Sequence, residues 1–248
     1  MRKYKVKKLR KIATIIMIII FVFIFITCSY ILVQNFLDYK EVKDETVKLK
    51  DEVIETNEIE NIDDVAIDWE KLENINSDII GWIKIDNTNI DYPIMQDKDL
   101  YYMNHTYEGK YNINGSIFTK INNPFETKVT TIYGHNNKNG IMFAGIEKFM
   151  NEEFFNNNNT FKIYTKSGNY DAKVFSIYSI GVIEETNNIK NLNYEDCIEY
   201  YKNQSKFKCE VIDLPEKIVK LSTCSYLNNK VTPTDQRYFL VASLVENK

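Results

Sequence analysis

Arginine is almost absent from this sequence. After Arg10 the 248-residue chain holds a single one, Arg237, and every other cation is lysine. Histidine occurs twice, at His105 and His135, and cysteine four times, at Cys28, Cys197, Cys209 and Cys224. There is no CxxC, no HxH and no acidic cluster at ligand spacing, so neither a metal nor another cofactor is expected. Basic charge is scarce as well once the first 33 residues are passed, with 24 Lys or Arg against 35 Asp or Glu. Phosphate binding needs a basic surface, which excludes nucleic acid as a partner. No internal repeat is visible, and the Asn runs such as Asn156–Asn159 read as compositional bias in loops.

What is present begins with an apolar run. From Ala13 to Val33 no residue is charged. Twenty-one residues at about 1.5 Å rise cover a hydrocarbon core of about 30 Å, so the segment is expected to span a bilayer. Before it lie seven Lys or Arg and no acid, which keeps the N-terminus cytoplasmic and sends the rest outside. A cleaved signal peptide is the rival, but its apolar run would end within about 7–15 residues at a small-x-small site. Here Thr27-Cys28-Ser29-Tyr30 is followed by more apolar residues, and Cys28 lies in no lipoprotein cleavage box. The expected organisation is a cytoplasmic basic tail over 1–12, a membrane signal-anchor over 13–33, an extracellular stalk or linker over 34–67 and a folded domain over 68–248. The stalk is highly charged from Asp38 to Ala66, with no Gly or Pro, and reads as helical or disordered. A coiled coil would need denser apolar spacing.

Within the folded domain, Asp68 is an N-cap candidate for a short helix reaching Asn76. Strand-like runs follow at Gly81–Ile85, Ile90–Met95, Ser116–Thr119, Val129–Tyr133, Phe161–Thr165, Tyr170–Ile180, Lys217–Thr223 and Tyr238–Val245. They are short, rich in Ile, Val, Tyr and Phe, and bounded by Asn, Asp or Gly, which predicts a mainly β, closed or nearly closed barrel. Helices are expected near Phe143–Met150 and at Tyr194–Gln204. In the latter, Tyr194, Ile198 and Tyr201 fall at i, i+4 and i+7.

Three cysteines lie beyond the anchor, and an odd number in an oxidising compartment leaves at least one thiol unpaired. Cys197 and Cys209 sit in or after the second helix and read as packing residues, with a bridge between them left open. Cys224 ends the strand Lys217–Cys224, flanked by Ser222 and Thr223, and His135 follows the strand Val129–Tyr133. His105 has no such framing and reads as a surface loop residue. A thiol and an imidazole at the ends of two strands, with a lone guanidinium on a third, match the nucleophile, proton carrier and oxyanion donor that thiol acyl transfer requires.

These segments resemble the sortases. Leu221-Ser222-Thr223-Cys224 is similar to their TLxTC signature, and Arg237 on the next strand resembles their arginine. Ile132-Tyr133-Gly134-His135-Asn136, with Gly140-Ile141-Met142-Phe143, resembles the histidine region of class B members. So do Asn76–Ile83, Ile90–Gln96 and Gly115–Phe118, and the likeness runs from about Asp68 to Val245. It implies an eight-stranded sortase-type β-barrel with an N-terminal helix and a helix in the loop before the cysteine strand. It also implies a transpeptidase that cleaves a C-terminal sorting signal after threonine through a Cys224 thioacyl intermediate. The acceptor would be an amine of a cell-wall precursor or a pilin lysine. His135 would act as general acid and base, Arg237 would stabilise the oxyanion or hold the substrate, and Ser222 and Thr223 would line the groove.

Three departures stand out. Lys220 occupies a signature threonine position, where its side chain is expected to face away from the site. Asp97–Tyr102 is one residue short, and the connection Ser225–Gln236 is long. The competing enzyme reading is a secreted cysteine peptidase or wall amidase, which would more often place its cysteine at a helix N-terminus. The competing non-enzyme reading is an anchored binding domain, which gives no reason for Cys224, His135 and Arg237 to converge.

Overall fold

The computed structural model describes residues 2–55, 66–209, 213–226 and 235–247. Contacts divide the chain into two units, residues 1–41 and 42–248. The first is the N-terminal stretch of one helix, α1 (Arg2–Val53). Its large apolar side chains from Ile12 to Leu37 are exposed, and the segment Arg10–Val53 holds a stretch long and apolar enough to cross a membrane. Such a surface has no favourable partner in water and is consistent with an anchor.

The second unit begins inside α1. Where a stalk or linker is expected over 34–67, the helix continues to Val53. There Leu49 and Val53 are buried in one cluster with Leu72, Ile79, Trp82, Met95, Tyr102, Tyr107, Phe118 and Tyr164. Polar contacts fasten the same turns. Lys50 pairs with Asp91, which also accepts from Trp82 Nε1 at 2.7 Å, and Lys110 Nζ meets Glu45 Oε1 at 2.7 Å. The folded domain therefore starts near Val42 rather than Asp68. Ten stalk positions, 56–65, lie outside the described residues. Around them β1 (Ile54–Glu55) pairs antiparallel with β2 (Ala66–Ile67).

Helix α2 (Trp69–Ile75) starts where expected, Asp68 Oδ1 accepting from the Lys71 N–H at 3.0 Å, a cap that contributes about 1 kcal/mol. The barrel is then built from β3 (Ile79–Ile85), β4 (Ile90–Gln96), β5 (Ile117–Thr119), β6 (Val129–Tyr133), β7 (Thr160–Thr165), β8 (Gly168–Gly181), β9 (Lys217–Cys224) and β10 (Gln236–Asn247). These eight strands close in the order β10-β8-β7-β3-β4-β5-β6-β9. The sheet is mixed, with β4–β5 and β6–β9 parallel and the other neighbours antiparallel. Closure leaves no unpaired edge.

Between β6 and β7, Phe143–Met150 forms a 3₁₀ helix, followed by α3 (Glu152–Asn157). Between β8 and β9 come α4 (Val182–Ile189) and α5 (Tyr194–Gln204). α5 lays Ile198 and Tyr201 on the outer face of the barrel, against Tyr178, Ile218, Phe239 and Val241. Burying side chains of that size stabilises the fold by about 1.5–3 kcal/mol each. Cys197 and Cys209 pack at the margin of this cluster with no disulfide between them.

Candidate active site

Register decides which side chains meet. On β9, Ser222 pairs with Tyr133 of β6 and Phe239 of β10, and Cys224 pairs with Arg237 of β10. Side chains alternate faces along a strand, so Lys220, Ser222 and Cys224 share the outer face with Arg237, Phe239 and Tyr133. His135 lies two residues past Tyr133, level with Cys224 across the parallel β6–β9 pair. The three residues thus stand abreast at the ends of three neighbouring strands, a few ångströms apart at the backbone.

Hydrogen bonds lock this row. Gly134 N–H donates to Ser222 O at 3.3 Å, the Thr223 hydroxyl donates to Gly134 O at 2.7 Å, and Asn136 Nδ2 donates to Cys224 O at 2.8 Å. On the other side, Ser225 N–H donates to Gln236 O at 2.9 Å, the oxygen that also accepts from Arg237 Nη1 at 2.9 Å. His135 Nε2 lies 2.7 Å from the carbonyl of Met103. A carbonyl can only accept, so Nε2 carries a proton, and the Met103 oxygen fixes the plane of the ring.

Cys224, His135 and Arg237 line one cleft of about 530 Å³. Its floor is Phe118, Thr131, Tyr133, Lys220, Ser222 and Phe239, and its wall is Val182, Glu185, Thr186 and Ile189 of α4. Burial pushes the Tyr133 phenol up, keeping it neutral at physiological pH. Cys224 is only half-buried, so a ligand in the cleft can reach the thiol. Chemically, the row offers a nucleophile, a proton carrier and a planar cation above an apolar trough.

Comparison with known proteins gives the family. The sortase domain matches residues 83–245, two thirds of the chain. The chain belongs to the sortases. Its relatives place it in class B. It is 36% identical over 142 residues to sortase B of Listeria monocytogenes, covering 54% of this chain and 58% of that protein. Among solved structures, sortase B of Bacillus anthracis in complex with AAEK1 superposes with a TM-score of 0.69. It is 28% identical, and the match covers 86% of this chain and 100% of that one. The Staphylococcus aureus sortase B–substrate complex gives a TM-score of 0.64 at 28% identity, covering 73% and 85%.

For this sortase the structure changes one sequence-based expectation. Lys220 does not face away from the site: it lines the cleft, four residues before Cys224 on the same face, and its ammonium lies 3.1 Å from Glu185 Oε1. Thr223 lines the cleft, and its hydroxyl, donated to Gly134 O, tethers the histidine loop to the cysteine strand. Ser222 lines the cleft as expected from the resemblance. His105 lies elsewhere, stacked on Tyr101 at 3.8 Å between ring centroids. The long connection after Cys224 falls largely on 227–234, outside the described residues.

Sequence reasoning missed Asn136, Glu185 and the Met103 carbonyl. Asn136 had a signal in its position directly after His135. A backbone carbonyl has none, but Gly115 supplies one indirectly. Gly115 adopts φ +60°, and a Cβ there would lie 2.3 Å from Met103 O and 2.8 Å from Tyr102 O. Only glycine lets that carbonyl reach His135. Gly115→Ala is expected to shift the Met103 carbonyl and lower kcat/KM by on the order of 10²-fold through misplacement of the ring. The added strain should cost about 1–3 kcal/mol of stability. Peptide-cleavage kinetics beside thermal melting check this, and wild-type kinetics would remove the Met103 carbonyl from the site.

Proposed function

We propose that this sortase is a membrane-anchored transpeptidase that cuts a C-terminal sorting signal after threonine and transfers the released acyl group to an amine. The Cys224 thiolate attacks the threonine carbonyl carbon, forming a C–S bond and a tetrahedral oxyanion, against which Arg237 is placed. Collapse breaks the C–N bond, and the leaving amine takes a proton from His135. An incoming amine attacks the thioester and yields its proton to His135, and the Cys224 thiolate departs. The observation that carries this reading is the row of Cys224, His135 and Arg237 at the head of a single cleft. Residues 13–33 form the anchor, 1–12 the cytoplasmic tail, and the catalytic domain lies outside. A cell-wall precursor or pilin lysine at the membrane surface supplies the amine.

The acceptor is the part of this reading most open to test. A hydrolase resolves its thioester with water, so added amine scarcely changes its products. A transpeptidase shields the thioester until its groove presents an amine. The full chain in detergent is expected to cleave a matching peptide slowly alone, and to give mostly amide adduct with a glycine- or diaminopimelate-containing wall peptide. Mass spectra of products from a sorting-signal peptide library decide it. Free threonine acid alone, across a panel of wall-type amines, would mean a cysteine peptidase.

A further inference from the structure

The wall of the cleft is held in an unusual way. α4 has one buried side chain, and it is the carboxylate of Glu185, 3% exposed. Of its apolar residues, Ile189 packs partly buried against the cluster beneath, while Ile183 is 75% exposed and Val182 39%. Helices of soluble domains are normally secured by an apolar stripe. The rest of the attachment is polar and reaches three other elements. Glu185 Oε1 accepts from Tyr178 of β8 at 2.7 Å and from Lys220 of β9 at 3.1 Å, and Oε2 accepts from Tyr200 of α5 at 3.0 Å. Burial first, and then the carboxylate itself, push Tyr178 far above the ordinary phenol range, and burial pushes Tyr200 up to about 12. Both phenols therefore stay protonated and donate.

The Lys220 ammonium is nearly as enclosed as its partner, and it lies 4.9 Å from the Phe239 ring centroid and 5.3 Å from that of Tyr201. A buried ion pair is not needed to stabilise this face, since apolar residues of similar volume are often as good or better. Its placement is more specific than stability demands. Lys220 stands four residues from Cys224 on the same strand face, roughly 13 Å away along β9. It cannot touch the reacting atoms. It lies where the trough continues away from the thiol, beneath α4.

We infer that the Lys220–Glu185 pair is a clasp that fixes α4 over the sheet and sets the width of the groove receiving peptide residues flanking the scissile bond. The two are positioning residues that determine specificity, and the idea rests on the transpeptidase reading. Val182, Thr186 and Ile189 line the trough from α4, and Tyr133 and Phe239 line it from the sheet. Releasing the clasp frees that side alone, because β9 and β10 remain paired along their length.

The test compares Lys220→Met, Glu185→Gln and the double variant in the full chain in detergent. Each single variant leaves one buried charge unbalanced and is expected to lower the melting temperature, raise KM for the sorting peptide about tenfold and leave kcat within about threefold. Amide exchange across 182–189 should quicken about tenfold, with β9 and β10 unchanged. The double variant removes both charges, so its melting temperature should recover. KM and α4 exchange should not recover, because the ion pair that ties the helix to β9 is gone. A double variant with wild-type KM and wild-type exchange would overturn the clasp and leave an ordinary buried pair. If the wild-type chain processed no peptide at all, the transpeptidase reading would fall, while exchange in α4 would still decide the clasp.

Discussion

Cys224→Ala is expected to abolish turnover while leaving the fold unchanged. The residue closes β9, half-buried, and its backbone is held independently of its sulfur: the carbonyl accepts from Asn136, and the next N–H donates to Gln236 O. Removing one sulfur at a strand tip costs little packing, so stability should stay within about 1 kcal/mol of wild type. The effect on chemistry is of another order. Without the thiolate there is no acyl-enzyme, and neither His135 nor Arg237 can supply a covalent step. Loss of a nucleophile from a cooperating set lowers kcat by on the order of 10⁴-fold or more. Peptide cleavage followed by mass spectrometry, beside a thermal melt, gives the answer. Turnover above about 1% of wild type with an unchanged melt would place the nucleophile elsewhere.

The barrel was legible because its strands close around a buried interior. That forces runs of Ile, Val, Tyr and Phe bounded by Asn, Asp and Gly, and Val129–Tyr133 and Tyr194–Gln204 carry the same ends in sequence and structure. The convergence of Cys224, His135 and Arg237 was legible from their shared position at strand ends, although only the register shows that they stand in one row. Less readable was the docked end of α1. Its apolar contact with the domain rests on Val42, Leu49 and Val53, three residues on an otherwise charged stretch of the helix, and so thin a stripe resembles a solvated stalk.

Two polar residues escaped for a related reason. Hydropathy assigns Glu185 and Lys220 to solvent, yet each is held inside by the other and by tyrosines, a pairing between residues 35 positions apart that no local pattern announces. For Lys220 the pleat did hold the answer. Four residues before Cys224 is an even step, so its side chain had to share the cysteine's face.

Arg237→Lys is the substitution in which charge and geometry give opposite expectations. If the guanidinium acts only as a cation near the thiol, an ammonium serves nearly as well. If it holds the oxyanion of the tetrahedral intermediate, the planar fork matters, because lysine offers a single point charge on a flexible stem. The structure favours the second case. Arg237 is paired across the ladder with Cys224, and its Nη1 is anchored on the neighbouring Gln236 carbonyl, which limits how the plane can rotate. Such anchoring would be wasted on a diffuse positive potential. An oxyanion donor typically accounts for about 10²–10³ in rate, so Arg237→Lys should lose about that factor in kcat, with KM changed far less. The acyl-enzyme should form slowly even in a single turnover, which places the defect in the attack on the threonine carbonyl. Near-normal single-turnover acylation would reduce Arg237 to a structural cation.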